Sequence, residues 1–112
     1  MPGIYFRYFE KDNLGAGAIW EDEWKVDDNY ICKYILIRRK DGKPWTASTI
    51  TLGVEQDYWT KDKAPVAIFG TDILNAMPIN RNLDKERVFK WSLRNEEGET
   101  ISVQLVLVLE KR

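Results

Sequence analysis

Short runs of β-branched and aromatic residues recur along the whole chain, and turn-forming residues separate them. Residues 4–9 form the first such run and residues 101–109 the last. Side chains of this kind fit a pleated, half-buried surface, and the chain lacks the sustained helical periodicity of a long helix. The pattern predicts a mainly β fold: an antiparallel β-sandwich or a small β-barrel of five to seven strands, with one or two short helical turns.

The length fits one domain of this kind. A chain of 112 residues buries roughly two-thirds of its unfolded surface, which is enough for an independent core. The sequence is 44% hydrophobic and 31% charged, close to ordinary globular usage, and this argues against a disordered chain. We therefore expect a single β-rich domain over residues 1–112.

Turn chemistry predicts a first hairpin between residues 30–40 and residues 45–56. The Asp-Gly sequence at residues 41–42 favours a turn with positive φ. A three-residue loop would pair Tyr34 with Ile50 and keep one face of both strands apolar. A slip of one residue would turn every side chain to the opposite face.

A second hairpin is predicted between residues 88–94 and residues 101–109. Its three-residue loop would place Gly98 where the chain needs a left-handed residue. The same register would pair Trp91 with Val103 on an apolar face.

The last predicted strand is apolar on both faces toward its end. Val106 and Val108 alternate there with three leucines, and a strand of this kind is covered on both sides. The pattern predicts either a central strand or a contact between copies of the chain.

Shorter elements are expected between these strands. Residues 20–26 form either a strand, with Trp20, Asp22 and Trp24 on one face, or a short helix. The remaining predictions are a buried strand at residues 66–69, a helical turn at residues 73–77 capped by Thr71 or Asp72, and a second turn at residues 83–86.

The composition disfavours catalysis. The chain has no histidine, which excludes histidine-assisted nucleophiles and most catalytic zinc sites. Its one cysteine, Cys32, cannot form an internal disulfide or a thiolate cage and is expected to be an inert core thiol. We therefore predict a protein that is not an enzyme and has no cofactor and no metal site; a carboxylate hydrolase would need two acidic side chains converging in a cleft.

No targeting segment is evident. The N-terminal residues lack the charged start and apolar run of a leader, and the longest purely apolar stretch, residues 105–109, is too short to span a bilayer. We expect a cytoplasmic protein that does not act at a membrane.

Acidic charge is concentrated near the N-terminal third, where residues 10–28 hold seven acidic side chains against Lys11 and Lys25. Within it lies the sequence Trp20-Glu21-Asp22-Glu23-Trp24, and aromatic residues are favoured anchors at protein interfaces. Our leading hypothesis is a non-catalytic macromolecular-interaction protein that binds a protein partner through this acidic aromatic surface. Such a protein could be a phage-encoded inhibitor, a toxin-neutralising partner or a structural subunit, and a homo-oligomer fits as well. The simpler interpretation is that both tryptophans belong to the core and the charges only aid solubility.

Basic charge is concentrated at the predicted first hairpin. Arg38, Arg39, Lys40 and Lys43 lie close to Trp45, a combination that binds single-stranded nucleic acid through phosphates and a stacked base. A nucleic-acid-binding small barrel is therefore the alternative function. The sequence pI near 5.5 argues against it, and charges at a hairpin end also protect sheet edges.

Exposed aromatic rings on one β-face would suit a carbohydrate-binding module, the second alternative. The candidate rings are those of Trp45, Tyr58, Trp59 and Trp91. Trp91 conflicts with this role, because the predicted second hairpin buries it.

Overall fold

A computed structural model describes residues 3–60 and 62–112 and is mainly β, as predicted. The described residues form nine strands and two short 3₁₀ helices. The strands are β1 (Ile4–Leu14), β2 (Ile19–Lys25), β3 (Tyr30–Arg39), β4 (Thr49–Val54), β5 (Asp57–Tyr58), β6 (Ala64–Pro65), β7 (Arg81–Leu83), β8 (Val88–Arg94) and β9 (Ile101–Lys111). Six of them have six or more residues, which agrees with the prediction of five to seven strands, and three are shorter pairings.

The strands form two antiparallel sheets that pack against each other. The first sheet has the order β1-β9-β3-β7, and the second has the order β2-β8-β4-β5, with β6 pairing to β4. β9 is thus an interior strand between β1 and β3, which confirms the first of the two interpretations of its apolar faces. Val108, on the outer side of this strand, is buried because Phe6 and Tyr34 flank it on the neighbouring strands.

The core lies between the inner faces of the two sheets. Alternate residues of β9 point inward, and so do alternate residues of β8, as the two-residue period of a strand requires. The inward side chains of these two strands are all buried: Phe89, Trp91, Leu93, Ile101, Val103, Leu105, Leu107 and Leu109. Apolar alternation in both strands is therefore explained by one shared core.

The predicted second hairpin is wrong. β8 pairs with β2 and β4, whereas β9 pairs with β1 and β3 in the other sheet. Trp91 and Val103 do share the core, but they face it from opposite sheets. Gly98 has a φ of 80°, so the left-handed turn position is confirmed although the turn connects two sheets.

The predicted first hairpin is wrong for the same reason, since β3 and β4 belong to different sheets. The connection between them, residues 40–48, crosses from one sheet to the other. Trp45 is buried within this connection and its Nε1 donates a hydrogen bond of 2.9 Å to the Ile37 carbonyl oxygen. Tyr34 lies beside Val108 rather than Ile50.

The shorter predictions had mixed outcomes. Residues 20–26 are largely in strand β2, whereas residues 66–69, expected as a strand, form the 3₁₀ helix Val66–Phe69. The 3₁₀ helix Ile73–Asn75 confirms the predicted turn, and the Asp72 carboxylate caps it by accepting a hydrogen bond of 3.1 Å from Asn75 N. The turn predicted at residues 83–86 is confirmed in part: residues 81–83 pair with β3, and a turn follows in which Arg87 N donates to the Asp84 carbonyl oxygen at 3.2 Å.

Neither 3₁₀ helix is long enough to cross a membrane, and no other helix occurs among the described residues.

A buried carboxylate connects the two inter-sheet crossings. The Glu97 side chain is 1% exposed and lies against residues 46–48 of the β3–β4 connection. Its Oε1 accepts hydrogen bonds from Thr46 N and Oγ1, and its Oε2 accepts from Ala47 N and from Ser48 N and Oγ, all at 2.8–3.0 Å. Burial alone would raise the pKa of Glu97, but the bonds from Ala47, Ser48 and Thr46 outweigh it and lower the pKa to about 2.

Replacing Glu97 with Gln should cost about 3 kcal/mol of stability at pH 7, because an amide group would face backbone N–H donors. The pKa of Glu97 is lowered from 4.5 on folding, so its contribution is complete above that pH and is lost as the pH falls toward 2. Urea unfolding at several pH values should show that the difference in free energy of unfolding between wild type and Glu97→Gln becomes smaller as the pH falls. A difference independent of pH would contradict this account.

Gly53 permits the close approach of β4 and β5. A Cβ built on it would collide with the Asp57 carbonyl oxygen and lie 2.7 Å from Tyr58 Cα. We expect Gly53→Ala to destabilise the protein by about 1–3 kcal/mol, as overpacking does. The control is Gly15→Ala, where a Cβ would meet nothing within 4 Å, and thermal unfolding should separate the two variants.

Candidate functional site

Strand β2 carries the acidic aromatic sequence, and its side chains alternate between two environments. Trp20, Asp22 and Trp24 share one face of the strand, as the strand interpretation predicted. Trp20 and Trp24 are buried on that inner face, which contradicts their predicted role in a protein interface. The Trp20 ring packs edge-on against Trp91 at 5.4 Å between centroids, and the Trp24 ring lies 6.1 Å from that of Phe9. Both tryptophans therefore belong to the core and do not serve as surface anchors.

The carboxylates of β2 border an open groove on the second sheet. The outward-facing Glu21 and Glu23 lie opposite Ser92 and Lys90 of β8. The groove has a volume of about 610 Å³, and we call it the acidic groove. It is lined by Glu21, Asp22, Glu23, Thr51, Leu52, Tyr58, Lys90, Trp91 and Ser92.

The three carboxylates Glu21, Asp22 and Glu23 have no ion pair with any described residue, unlike most acidic side chains of this chain. Their hydrogen bonds are local: Asp22 Oδ1 accepts from Glu23 N at 2.8 Å, and Ser92 Oγ donates to Glu21 Oε1 at 3.4 Å. Glu21 and Glu23 thus keep two unpaired negative charges on the groove side of β2, whereas the Asp22 side chain lies on the opposite face of the strand. Lys90 of β8 adds one positive charge to the groove.

Tyr58 supplies the exposed aromatic surface that the tryptophans do not. Its ring is 55% exposed, and Lys90 Nζ lies 5.9 Å from the ring centroid. The sequence placed Tyr58 only in the carbohydrate set and did not identify Thr51, Lys90 or Ser92. Those residues reach the groove because β8 lies between β2 and β4, a pairing that the local pattern does not reveal.

Most of the predicted nucleic-acid-binding set is already engaged within the protein. The Arg39 side chain is 4% exposed and pairs with Asp41 at 2.7 Å, with Glu97 at 3.5 Å and with Glu99. Lys40 Nζ lies 2.6 Å from carboxylate oxygens of both Asp12 and Glu10, and these bonds raise the pKa of Lys40.

The four cations of that set line one groove of about 510 Å³, but Trp45 does not reach it. The Trp45 ring is in the core, so it does not offer a face for a nucleic-acid base. Arg38 is exposed and donates from Nε to Gln104 Oε1 at 2.5 Å, while Lys43 is exposed in the β3–β4 connection. Among the described residues, the structure therefore leaves two cations of this groove without an ion pair, Arg38 and Lys43, and no stacking ring.

The proposed carbohydrate-binding rings do not form one exposed platform. Trp45 and Trp91 are buried, Trp59 is half-buried with its ring 5.4 Å from that of Phe89, and Tyr58 alone is well exposed. A single exposed ring does not form the flat aromatic face that carbohydrate binding needs.

Cys32 and possible metal ligands are the remaining groups that the sequence analysis considered for chemistry. Burial raises the pKa of Cys32 to about 12, which agrees with an unreactive core thiol. Within residues 3–60 and 62–112, no group of three or more acidic or cysteine side chains is placed to hold a metal ion.

Comparison with protein-family models, with curated proteins and with solved structures finds no match to this chain. Its function is therefore inferred from its own residues.

Replacing Arg39 with Ala should destabilise the protein by about 3 kcal/mol, because Glu97 would remain buried without its cation. Replacing its exposed neighbour Arg38 with Ala should change stability by less than about 0.5 kcal/mol. Chemical unfolding of the two variants measures the difference. A loss of stability in Arg39→Ala as small as that in Arg38→Ala would show that Arg39 is not a structural residue.

Proposed function

We propose that this protein is a non-catalytic interaction protein that binds a basic segment of a protein partner in the acidic groove. The observation that carries the proposal is the pair of outward-facing carboxylates Glu21 and Glu23, which border an open groove without an ion pair to any described residue. Elsewhere in the same acidic region, Glu10 and Asp12 are neutralised by Lys40. The charges of β2 are thus distinct from a general acidic surface.

The groove matches an extended basic peptide in spacing. Glu21 and Glu23 face the same side of β2, and residues two apart on a strand are about 7 Å apart. Lysine or arginine side chains two positions apart in an extended segment have the same spacing. The exposed Tyr58 ring, beside which Lys90 already lies, offers apolar contact to the stem of a basic side chain, and the hydroxyls of Thr51 and Ser92 offer hydrogen bonds.

The groove is built on strands rather than on a mobile loop. β2, β8 and β4 are paired along their lengths, and their opposite faces cover the core. A surface that is already ordered pays little conformational entropy on binding, so a small number of contacts is sufficient. An inhibitor, a neutralising partner and a structural subunit all act through such a surface.

The test is binding of a fluorescent extended peptide with alternating lysine or arginine, measured by anisotropy at low and at physiological salt. Glu21→Gln, Asp22→Asn and Glu23→Gln together should weaken binding about tenfold or more, because each exposed charge pair contributes about 0.2–1 kcal/mol. Higher salt should weaken binding to the wild type.

The matched control removes three acidic charges elsewhere: Asp28→Asn, Glu55→Gln and Glu86→Gln. These three side chains are exposed in part and paired with Lys111, Arg87 and Lys25, away from the groove. The control should bind the peptide nearly as well as wild type. Equal loss in both variants, or no binding by the wild type at low salt, would refute a role for the groove.

A further inference from the structure

We propose that two copies of this chain form a symmetric dimer by antiparallel pairing of their β1 strands. The first sheet of each copy would then continue into that of the other. This interface lies on a different sheet from the acidic groove, so it is independent of the function proposed above.

β1 presents an open edge with unused backbone groups. It is the outermost strand of the first sheet, has eleven residues and pairs with β9 only. Lys111 N donates to the Gly3 carbonyl oxygen at 3.5 Å, which places the odd-numbered residues of this part of β1 in hydrogen-bonded pairs with β9. Because such pairs alternate along antiparallel strands, Ile4, Phe6 and Tyr8 direct their N–H and C=O groups to the open edge.

β1 and β2, the two long outer strands, differ in how their edges are protected. β2 carries three successive carboxylates, and charges are a common defence of a sheet edge against pairing with other chains. The corresponding positions of β1 are apolar: Ile4 is 67% exposed, Phe6 61% and Tyr8 48%. The charged residues of β1 are Arg7, on the inner face, and the three from Glu10 to Asp12. The edge at residues 4–9 is therefore open to pairing with another strand.

The side chains of β1 are complementary to their own copy in one register. A two-fold axis perpendicular to the sheet pairs residues that lie on the same face of the sheet in both copies. If Phe6 lies opposite Phe6 of the second copy, Ile4 lies opposite Tyr8. On the inner face the same register sets Tyr5 opposite Arg7. A shift of one position along each strand would bring the two Arg7 side chains opposite each other, and like charges so placed are unfavourable.

The surface around β1 continues this apolar contact and ends in polar residues. On the outer face Phe6 lies beside Val108, and Tyr8 lies beside Val106. Ion pairs close the two ends of this band, Lys33 with Glu110 at one end and Lys40 with Glu10 at the other. An apolar centre with a polar rim is the usual composition of a protein interface.

The area is sufficient for a reversible dimer. An aromatic side chain carries about 150–250 Å², so the exposed parts of Phe6 and Tyr8 amount to roughly 100 Å² each. With Ile4, Tyr5 and the backbone edges, two copies bury at most roughly 1,000 Å² in total, which is the size of a weak, reversible interface. We therefore expect dissociation in the micromolar range.

Sedimentation velocity over a range of concentrations tests the dimer. The wild type should shift from monomer to dimer, and Phe6→Lys should raise the dissociation constant about 30-fold or more. Leu74→Lys is the control, because Leu74 is 95% exposed in the 3₁₀ helix Ile73–Asn75 and lies outside β1. A wild type that stays monomeric throughout, or a dimer that Phe6→Lys leaves intact, would overturn the proposal.

Disulfide cross-linking tests the register. Paired Cα atoms on the axis are about 5.5 Å apart, so Phe6→Cys should form a disulfide between the copies under mild oxidation. Ile4→Cys should not, because its two copies would be about 13 Å apart along the strands. The native Cys32 is buried and does not interfere. Cross-linking by Ile4→Cys in place of Phe6→Cys would refute this pairing.

Discussion

The buried carboxylate of Glu97 is the interaction on which the arrangement of the two sheets depends. It lies in the turn that leads from β8 to β9 and binds the backbone of the connection that leads from β3 to β4. Both connections pass from one sheet to the other, so a single side chain fixes two crossings at the same end of the sandwich. A carboxylate in such a place is stable only because backbone N–H groups, hydroxyls and the Arg39 guanidinium replace its water.

Asn95 extends this polar end of the molecule to a third connection. Its side chain is buried, and Nδ2 donates to the carbonyl oxygens of Leu14, Gly15 and Glu99. The loop from β1 to β2 is thereby held beside the turn from β8 to β9. Ordered in this way, β1 and β2 become the outer strands of opposite sheets. β2 carries the free carboxylates of the acidic groove, and β1 carries the open apolar edge.

The two predicted hairpins show what local pattern leaves undecided. Phe89, Trp91 and Leu93 alternate with polar residues, and so do Ile101, Val103 and Leu105. That alternation predicts which side chains are buried. It does not predict whether the two strands pair within one sheet or face each other across the core from different sheets. Gly98 permits a reversal of direction in either case. The choice was made by distant groups, since Glu97 and Asn95 find their partners about 50 and 80 residues away in the chain.

The sequence alone determined the mainly β class, the approximate bounds of β3, β8 and β9, and the buried state of Cys32, because each follows from local alternation or from composition. It also identified the carboxylates of β2 as a distinct charge cluster. Tertiary structure alone decided that Arg39 and Trp45 are interior residues and that Tyr58 and Lys90 join the acidic groove. Those outcomes depend on which strands become neighbours, and neighbours are selected by contacts between residues far apart in the chain.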